Sequence, residues 1–299
     1  MKPAHLEMIH VRKHFGQVKA IDDVNFNVYP GEIVALLGSN GAGKTTLIGL
    51  TSGALHPSAG EVKVFGMHPT DRLAHIYRRV LPQELSFPKT LTVNEVLKVI
   101  YSHFPGSDFE DLLQRVGLDH IRNRSTGALS GGERRKLALI GSLAGDPKLV
   151  LLDEPTANVD LVGQNNIHML LKEYFSGQSS SLIFSSHQMK EVEDLATRVI
   201  VIATGRIVFD GSVEKLKKLR PEKKVRFRTP DLNFKITSAT ETKLSEDGRV
   251  ECLGRDSDEM LREIIERKGI HASQFEILDP SLDEAILSLC KVSSKEVRP

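Results

Sequence analysis

The sequence predicts an α/β fold, a mainly parallel sheet wound with helices around a phosphate-binding loop, and three observations predict it. Gly38 to Thr46 reads GSNGAGKTT and fits the pattern G-x-x-x-x-G-K-[ST] without a mismatch. The apolar run Ile33 to Leu37 precedes it and a helical pattern begins at Thr46, so the strand–loop–helix context is present as well as the letters. Further buried-strand runs, Leu149 to Leu152, Ser181 to Ser186 and Val199 to Ala203, alternate with helical segments, the arrangement of a parallel sheet with helices on both faces.

Taken in order, residues 6 to 28 alternate polar and apolar positions around the segment Lys13-His14-Phe15-Gly16, and Pro30-Gly31 supplies a turn, which reads as an antiparallel β piece. By itself Phe15, a lone aromatic before a glycine, reads as core packing. Gly60 to Gly66 is another short alternating strand, and Thr70 to Arg79 reads as a helix capped by Thr70. Two helices are expected at Thr92 to Phe104 and Asp108 to Val116, separated by Pro105-Gly106. Ser130 is a good N-cap for a helix from Glu133 to Ala144, with Gly131 and Gly132 allowing close backbone approach. Arg134, Arg135 and Lys136 crowd the start of that helix, where cations oppose the helix dipole, so their placement points to a reason other than helix stability.

After the charged, proline-containing stretch Arg220 to Lys224, which reads as a linker, the chain changes character. Strand-like runs at Val225 to Arg228, Phe234 to Ile236, Val250 to Leu253 and Phe275 to Leu278 accompany a helix over Met260 to Lys268, a small α+β appendix. Pro280 to Glu284 opens a last helix with a capping box, Ser281 pairing with Glu284.

Composition bounds the function. The 299 residues, 40% hydrophobic, suffice for one large domain and one small. Lys and Arg number 40 against 39 Asp and Glu, a net charge of +1, so no overall basic field attracts nucleic acid or an anionic membrane. Cys252 and Cys290 alone make neither a disulfide framework nor a zinc site and fit a reducing compartment. The segment MKPAHLEMIH lacks the apolar core of a signal peptide and no window approaches 18 apolar residues, so a soluble, cytoplasmic chain is expected.

The chemistry starts at the loop. Gly38, Gly41 and Gly43 let backbone N–H groups and the positive helix end surround phosphate oxygens; Lys44 is placed for the β- and γ-phosphates, and Thr45 for a Mg²⁺ ion that bridges them. Asp153 and Glu154 stand at the exit of an apolar strand, where carboxylates are costly unless they hold something.

Four spaced signals coincide: the phosphate loop, Leu129-Ser130-Gly131-Gly132-Glu133, the run ending Asp153-Glu154-Pro155-Thr156, and Ser186-His187. Together they resemble the nucleotide-binding subunit of an ATP-binding cassette (ABC) transporter, from about Leu6 to about Leu219. The resemblance implies a P-loop ATPase core with an antiparallel β subdomain and a helical subdomain at about 84–128, together forming a domain over 1–220, and a small C-terminal α+β accessory domain over 221–299. It implies ATP and Mg²⁺ as ligands, with Gly38, Ser39, Asn40, Gly41, Ala42, Gly43, Lys44, Thr45 and Thr46 around the phosphates. It reverses the first reading of Phe15, which becomes the aromatic that stacks on adenine where many members have Tyr. Thr45, Gln83 and Asp153 then serve the metal, Glu154 polarises the attacking water as general base, and His187 contacts the γ-phosphate beside Lys44.

Ser130, Gly131, Gly132 and Glu133 match the signature that, in the family, closes over ATP held by the other subunit; Glu133 stands where Gln is more usual. Asp160 matches the loop that crosses between subunits, although Asn158 and Val159 depart from the commoner small residue and Leu. The implied partners are a second copy of the chain and a separate transmembrane permease contacted by residues 84 to 128, with the chain peripheral on the inner membrane face and no nucleic acid expected. The tail Pro280-Ser281-Leu282-Asp283-Glu284 resembles that of subunits serving ABC-2-type exporters. The alternative is a non-transport cassette ATPase acting on nucleic acid or the ribosome. Chromosome-type members carry a long coiled-coil insertion, absent here, and translation-type members carry two cassettes where this chain has one.

Overall fold

The fold was analysed in a computed structural model that describes residues 3–177, 179–219, 223–230, 236–245, 247–266 and 271–278. The chain divides into two compact units, the first running through Val213 and the second beginning at Glu214.

The first unit opens with β1 (Leu6–Phe15) and β2 (Val18–Val28), an antiparallel pair turned at Gly16, followed by β3 (Ile33–Leu37), α1 (Lys44–Ser52) and β4 (Ala59–Val64). Then come α2 (Arg72–Tyr77), β5 (Arg78–Leu81), α3 (Val93–Tyr101), α4 (Glu110–Arg115) and α5 (Gly131–Gly141). The unit closes with β6 (Leu149–Asp153), α6 (Leu161–Phe175), β7 (Ser181–Ser185), α7 (Met189–Leu195), β8 (Arg198–Ala203) and β9 (Arg206–Gly211). α8 (Val213–Lys218) starts at the unit boundary.

Two sheets form. β2-β1-β4 is antiparallel; the other has the order β5-β6-β7-β3-β8-β9 and is parallel except for β9, which pairs antiparallel with β8. Every residue of β3, β6 and β7 is buried, as expected of parallel strands covered on both faces. One apolar cluster joins the sheets: Leu6, Met8 and Val28 from the antiparallel one, Val34, Leu151 and Ile183 from the parallel one, and Leu47 and Leu50 from α1 between them.

The expected helix over 70–79 is cut short. Arg78, 4% exposed, pairs with Leu149 in the sheet and sends its guanidinium to the carbonyls of Thr51, Ser52 and Pro69. Strand pairing and capping of the end of α1 therefore claim the last residues of the helical pattern. Its N-cap is Asp71, whose carboxylate accepts from the His68 N–H at 3.0 Å, while the Thr70 hydroxyl meets the His68 ring instead. α3 is capped as expected by Thr92, in a full capping box with Glu95, and ends before Phe104. Asp108 does not begin α4: its carboxylate accepts from the N–H groups of Phe109 and Glu110 ahead of it. α5 ends at Gly141, short of Ala144.

The second unit holds β10 (Lys223–Arg228), β11 (Glu241–Leu244), β12 (Val250–Gly254), α9 (Ser257–Glu266) and β13 (Ser273–Leu278) in an antiparallel order β11-β12-β10-β13. β12 and β13 flank β10, both antiparallel to it, so they run parallel to each other and α9 is the crossover between them. Alternation sorts the sheet. Val225, Phe227, Val250 and Cys252 pack with Met260 and Ile264 of α9, while Arg226 faces the other way and pairs with Glu251 at 2.6 Å. Strand β11, fully exposed, was not expected from sequence. α9 starts earlier than expected because the Asp256 carboxylate accepts from the N–H groups of Asp258 and Glu259. Of the expected strand 234–236, Ile236 is a core residue outside any strand, and 234–235 lie outside the described residues, as do 267–268, the capping box at Ser281 and Glu284, and Cys290.

Candidate functional site

Parallel pairing gathers the candidate residues. β5, β6, β7 and β3 lie side by side and point the same way, with Leu81 opposite Leu152, Asp153 opposite Ser185, and Leu36 opposite Ser185. The residues just beyond these ends, Gln83, Glu154, His187 and Gly38, are far apart in sequence and share one edge of the sheet, where ligands of open α/β sheets bind. A cavity of about 270 Å³ opens there, lined by Asn40, Gly41, Gly43, Lys44, Thr45, Thr46, Gln83 and Glu154.

The loop after β3 needs its glycines. A Cβ on Gly38 (φ 153°) would lie 2.3 Å from the Ile202 carbonyl oxygen, and one on Gly43 (φ 113°) would lie 2.7 Å from the Ala20 oxygen and the Ile21 side chain. Ala42 is buried and anchors the loop by accepting from the Gly205 N–H, whereas Ser39, Asn40 and Thr45 are exposed. The Lys44 ammonium folds back on the loop, donating to the carbonyls of Gly38 at 2.7 Å and Ser39 at 3.1 Å. Burial holds its pKa below the ordinary lysine value, against the pull of Glu154 and Asp153.

Asp153, 2% exposed and not among the residues that line the cavity, accepts from the Ser185 hydroxyl. Glu154 adopts a left-handed backbone, φ 53°, unusual for a residue with a Cβ. Both its peptide groups are held: the N–H donates to Ser185 Oγ at 2.9 Å and the carbonyl accepts from Arg135 Nε at 3.0 Å. Its carboxylate reaches the cavity, 3.5 Å from Nδ1 of the exposed His187. Among the described residues no group of three or more His, Cys, Asp and Glu gathers as a metal site. The Thr45 hydroxyl, the Gln83 amide and the Asp153 carboxylate offer instead the hard oxygen donors that fit Mg²⁺, an ion that takes few protein ligands when phosphates supply the rest.

Other candidates do not line this cavity. Phe15 ends β1 with half of its surface exposed and Lys13 Nζ 5.0 Å from its ring centroid, so it is not the core residue that its isolated reading suggests. Ser130 caps α5 in a capping box with Glu133, each side chain meeting the other's backbone N–H. The signature packs on the loop before α6: a Cβ on Gly132 would lie 2.6 Å from the Asn158 oxygen, whereas one on Gly131 would meet only the Asn158 side chain, at 3.5 Å. Asn158 holds φ 61°, a conformation that Asn tolerates, and Val159 is buried. Asp160 caps α6 through the Gly163 N–H.

Sequence reasoning missed several supporting residues. Ser185 links Asp153 to the Glu154 backbone, and its only signal is its place at the end of an apolar strand. Glu191, 1% exposed, accepts from the Thr156 hydroxyl at 3.1 Å and lies 3.3 Å from His168 Nε2, tying the turn after Glu154 to α6 and α7. For this network the sequence carries no pattern. Arg135 had a signal, its place in a cationic cluster at a helix start, but not a role.

Comparison with known proteins agrees with this geometry. The family described as "ABC transporter" matches residues 21–157. The chain is 32% identical over 226 residues to the ABC transporter ATP-binding protein NatA of Bacillus subtilis, covering 73% of this chain and 89% of that one. It is 32% identical over 227 residues to the bacitracin transport ATP-binding protein BcrA of Bacillus licheniformis, with 74% of each chain covered. With the ATP-binding cassette sub-family A member 9 of Mus musculus the identity is 38% over 217 residues, 69% of this chain but 13% of that protein. A solved ATP-binding subunit of an ABC transporter, 22% identical, superposes with a TM-score of 0.65 over 71% of this chain and 92% of its own, and shows the fold. The chain belongs to the ATP-binding proteins of ABC transporters, the ATPases that power them.

Proposed function

We propose that the chain hydrolyses Mg-ATP at a site shared by two copies and thereby drives outward transport through a separate transmembrane permease. The observation that carries the reading is the convergence of Lys44, Gln83 and Glu154 on one cavity, with His187 beside Glu154. Phosphoryl transfer to water needs charge neutralisation, alignment and one proton acceptor, and these side chains supply each. Lys44 and the N–H groups of residues 39–46 hold the phosphates. Glu154, pinned at both peptide groups, takes the proton of the attacking water, and His187 steadies the γ-phosphate. Thr45, Asp153 and Gln83 would hold Mg²⁺, which would supply charge neutralisation for the phosphates. Phe15 stacks on adenine.

The shared site is supported by Gly131, whose missing side chain nothing in its own chain requires, at the N-terminus of a helix suited to a partner's phosphates. The separate permease is supported by the names of NatA and BcrA, ATP-binding proteins of transporters that the chain matches over most of their length. The outward direction rests on the resemblance of residues 280–284 to exporter subunits.

Affinity purification of the full chain from detergent-solubilised membranes of its source cell tests the assembly. A polytopic membrane protein should co-purify and raise the ATPase rate. Recovery of ribosomes or nucleic acid instead would favour the non-transport reading.

A further inference from the structure

Arg135 is 3% exposed, yet among the described residues no carboxylate pairs with it. It sits one turn into α5, whose N-terminus is the signature Ser130 to Glu133, and it turns inward. Its guanidinium binds three carbonyl oxygens on two separate loops: Nε donates to Glu154 at 3.0 Å, and Nη1 donates to Pro82 at 2.7 Å and Gln83 at 3.2 Å. A buried cation that meets only carbonyls is costly to keep, and among the described residues its Nη2 group finds no hydrogen-bond partner. Asp153, Glu154 and Glu191 offset that cost at longer range. The arrangement is therefore poorly explained as a stability device. Of its two neighbours, Arg134 folds back to the Leu129 carbonyl at 2.6 Å and needs no such burial.

The two loops carry the groups that must act together. Gln83 follows β5 and Glu154 follows β6, and beyond the ends of those paired strands the guanidinium spans them. The Glu154 turn is left-handed, so its side-chain direction depends on what fixes its peptide groups. Ser185 holds the N–H, and the carbonyl is shared between the local Ala157 N–H at 3.1 Å and Arg135, the one of the two that comes from another element.

We propose that Arg135 is a positioning residue that clamps the Glu154 turn to the Gln83 loop and ties both to the signature helix, so that engagement of the signature by the partner's nucleotide sets the geometry of this chain's own proton acceptor. The inference rests on the assignment of Glu154 as general base. It makes the two ATP sites of a dimer interdependent through a defined side chain: a shift of α5 moves Arg135, and Arg135 moves the backbone of Glu154 and Gln83. The Lys44 loop is outside the clamp, so nucleotide affinity should be spared.

The test uses the full chain with Arg135→Met, which keeps length and loses every donor, and Arg135→Lys, which keeps charge and loses the planar fork that reaches two loops. Binding of a fluorescent ATP analogue, and turnover per binding-competent site as a function of ATP, are measured for both. Arg135→Met should bind within about threefold of the parent while turnover falls by about 30-fold or more, since small misplacements of catalytic groups have effects of that order. Because the proposal couples the two sites, the parent's rate should depend sigmoidally on ATP and that of Arg135→Met hyperbolically. Arg135→Lys should be intermediate, at least about fivefold slower than the parent at unchanged affinity, and it decides the matter if Arg135→Met does not fold. A purely structural role would lower the binding-competent fraction and leave turnover per competent site unchanged, and that result would overturn the proposal. Glu154→Gln separates the two inferences. If it hydrolyses ATP as fast as the parent, the assignment of the base fails. If it is inactive and Arg135→Lys keeps the parental rate and sigmoidicity, only the clamp fails.

Discussion

His187 Nδ1 lies 3.5 Å from Glu154 Oε1, and the two side chains stand at the exits of neighbouring strands, β7 and β6. An imidazole placed so close to the carboxylate proposed as the proton acceptor is also within reach of a phosphate held in front of that carboxylate. On the proposed reading the pair divides the two tasks of hydrolysis between adjacent strands of one sheet.

Glu154→Gln preserves the shape of the side chain and the backbone contacts to Ser185 and Arg135, but its amide cannot accept the proton. Turnover should fall by about 10² to 10⁴-fold with ATP affinity retained. The variant should accumulate as an ATP-bound dimer. Gel filtration with saturating Mg-ATP, run beside a steady-state rate, checks both points; a monomer, or a rate near that of the parent, would remove Glu154 from the role of base.

Phe15 is half exposed at the end of β1, so its ring is available to a planar partner. Phe15→Ala should weaken ATP binding by about 1 to 2 kcal/mol, the size of a base–aromatic stacking contact. Phe15→Tyr should change it little. Fluorescence titration with an ATP analogue is the measurement, and equal affinities for Phe15→Ala and parent would show that adenine sits elsewhere.

A shared site makes a specific demand on mixed dimers. Lys44→Ala removes the cation of the phosphate loop. Gly131→Asp places negative charge at the signature, and the space around Gly131 admits it, whereas Gly132 is held against the Asn158 carbonyl and is unsuitable. Each variant alone has two defective sites. A mixed dimer combines the sound phosphate loop of one chain with the sound signature of the other and should again occlude labelled ATP. If mixed dimers form by differential tagging and occlude no more ATP than either parent variant, each chain works alone.

In the second unit Glu263 accepts from the N–H and hydroxyl groups of both Thr237 and Ser238 at 2.6 to 2.8 Å. Burial alone would raise its pKa, but these four donors outweigh it and hold the carboxyl at about 2. Because the folded value lies below the ordinary 4.5, the stability it contributes is complete above that pH and is lost as pH falls from 4.5 through about 2. Glu263→Gln should therefore speed amide exchange in β10 and β12 at pH 7, with the gap to the parent closing toward pH 3. A gap independent of pH would show that the carboxylate charge is not what holds the turn.

The sequence by itself determined the parts of this protein whose information is local. A glycine-rich loop between an apolar run and a helix, Ser130 as the N-cap of a helix, and carboxylates at the end of Leu149 to Leu152 are each written within a few residues, because backbone sterics, helix capping and burial act at that range. Tertiary structure decided what depends on distant neighbours. Arg78 left its helical pattern because strand β6 and the carbonyl end of α1 competed for it. Arg135 meets two loops that its local sequence does not announce, one 19 residues away at Glu154 and one more than 50 residues away at Pro82 and Gln83. Ser185 gained one because its strand lies beside Asp153. In these cases the deciding term is a hydrogen bond or a strand pairing made across the fold, and such a term leaves no periodicity or spacing in the chain to read.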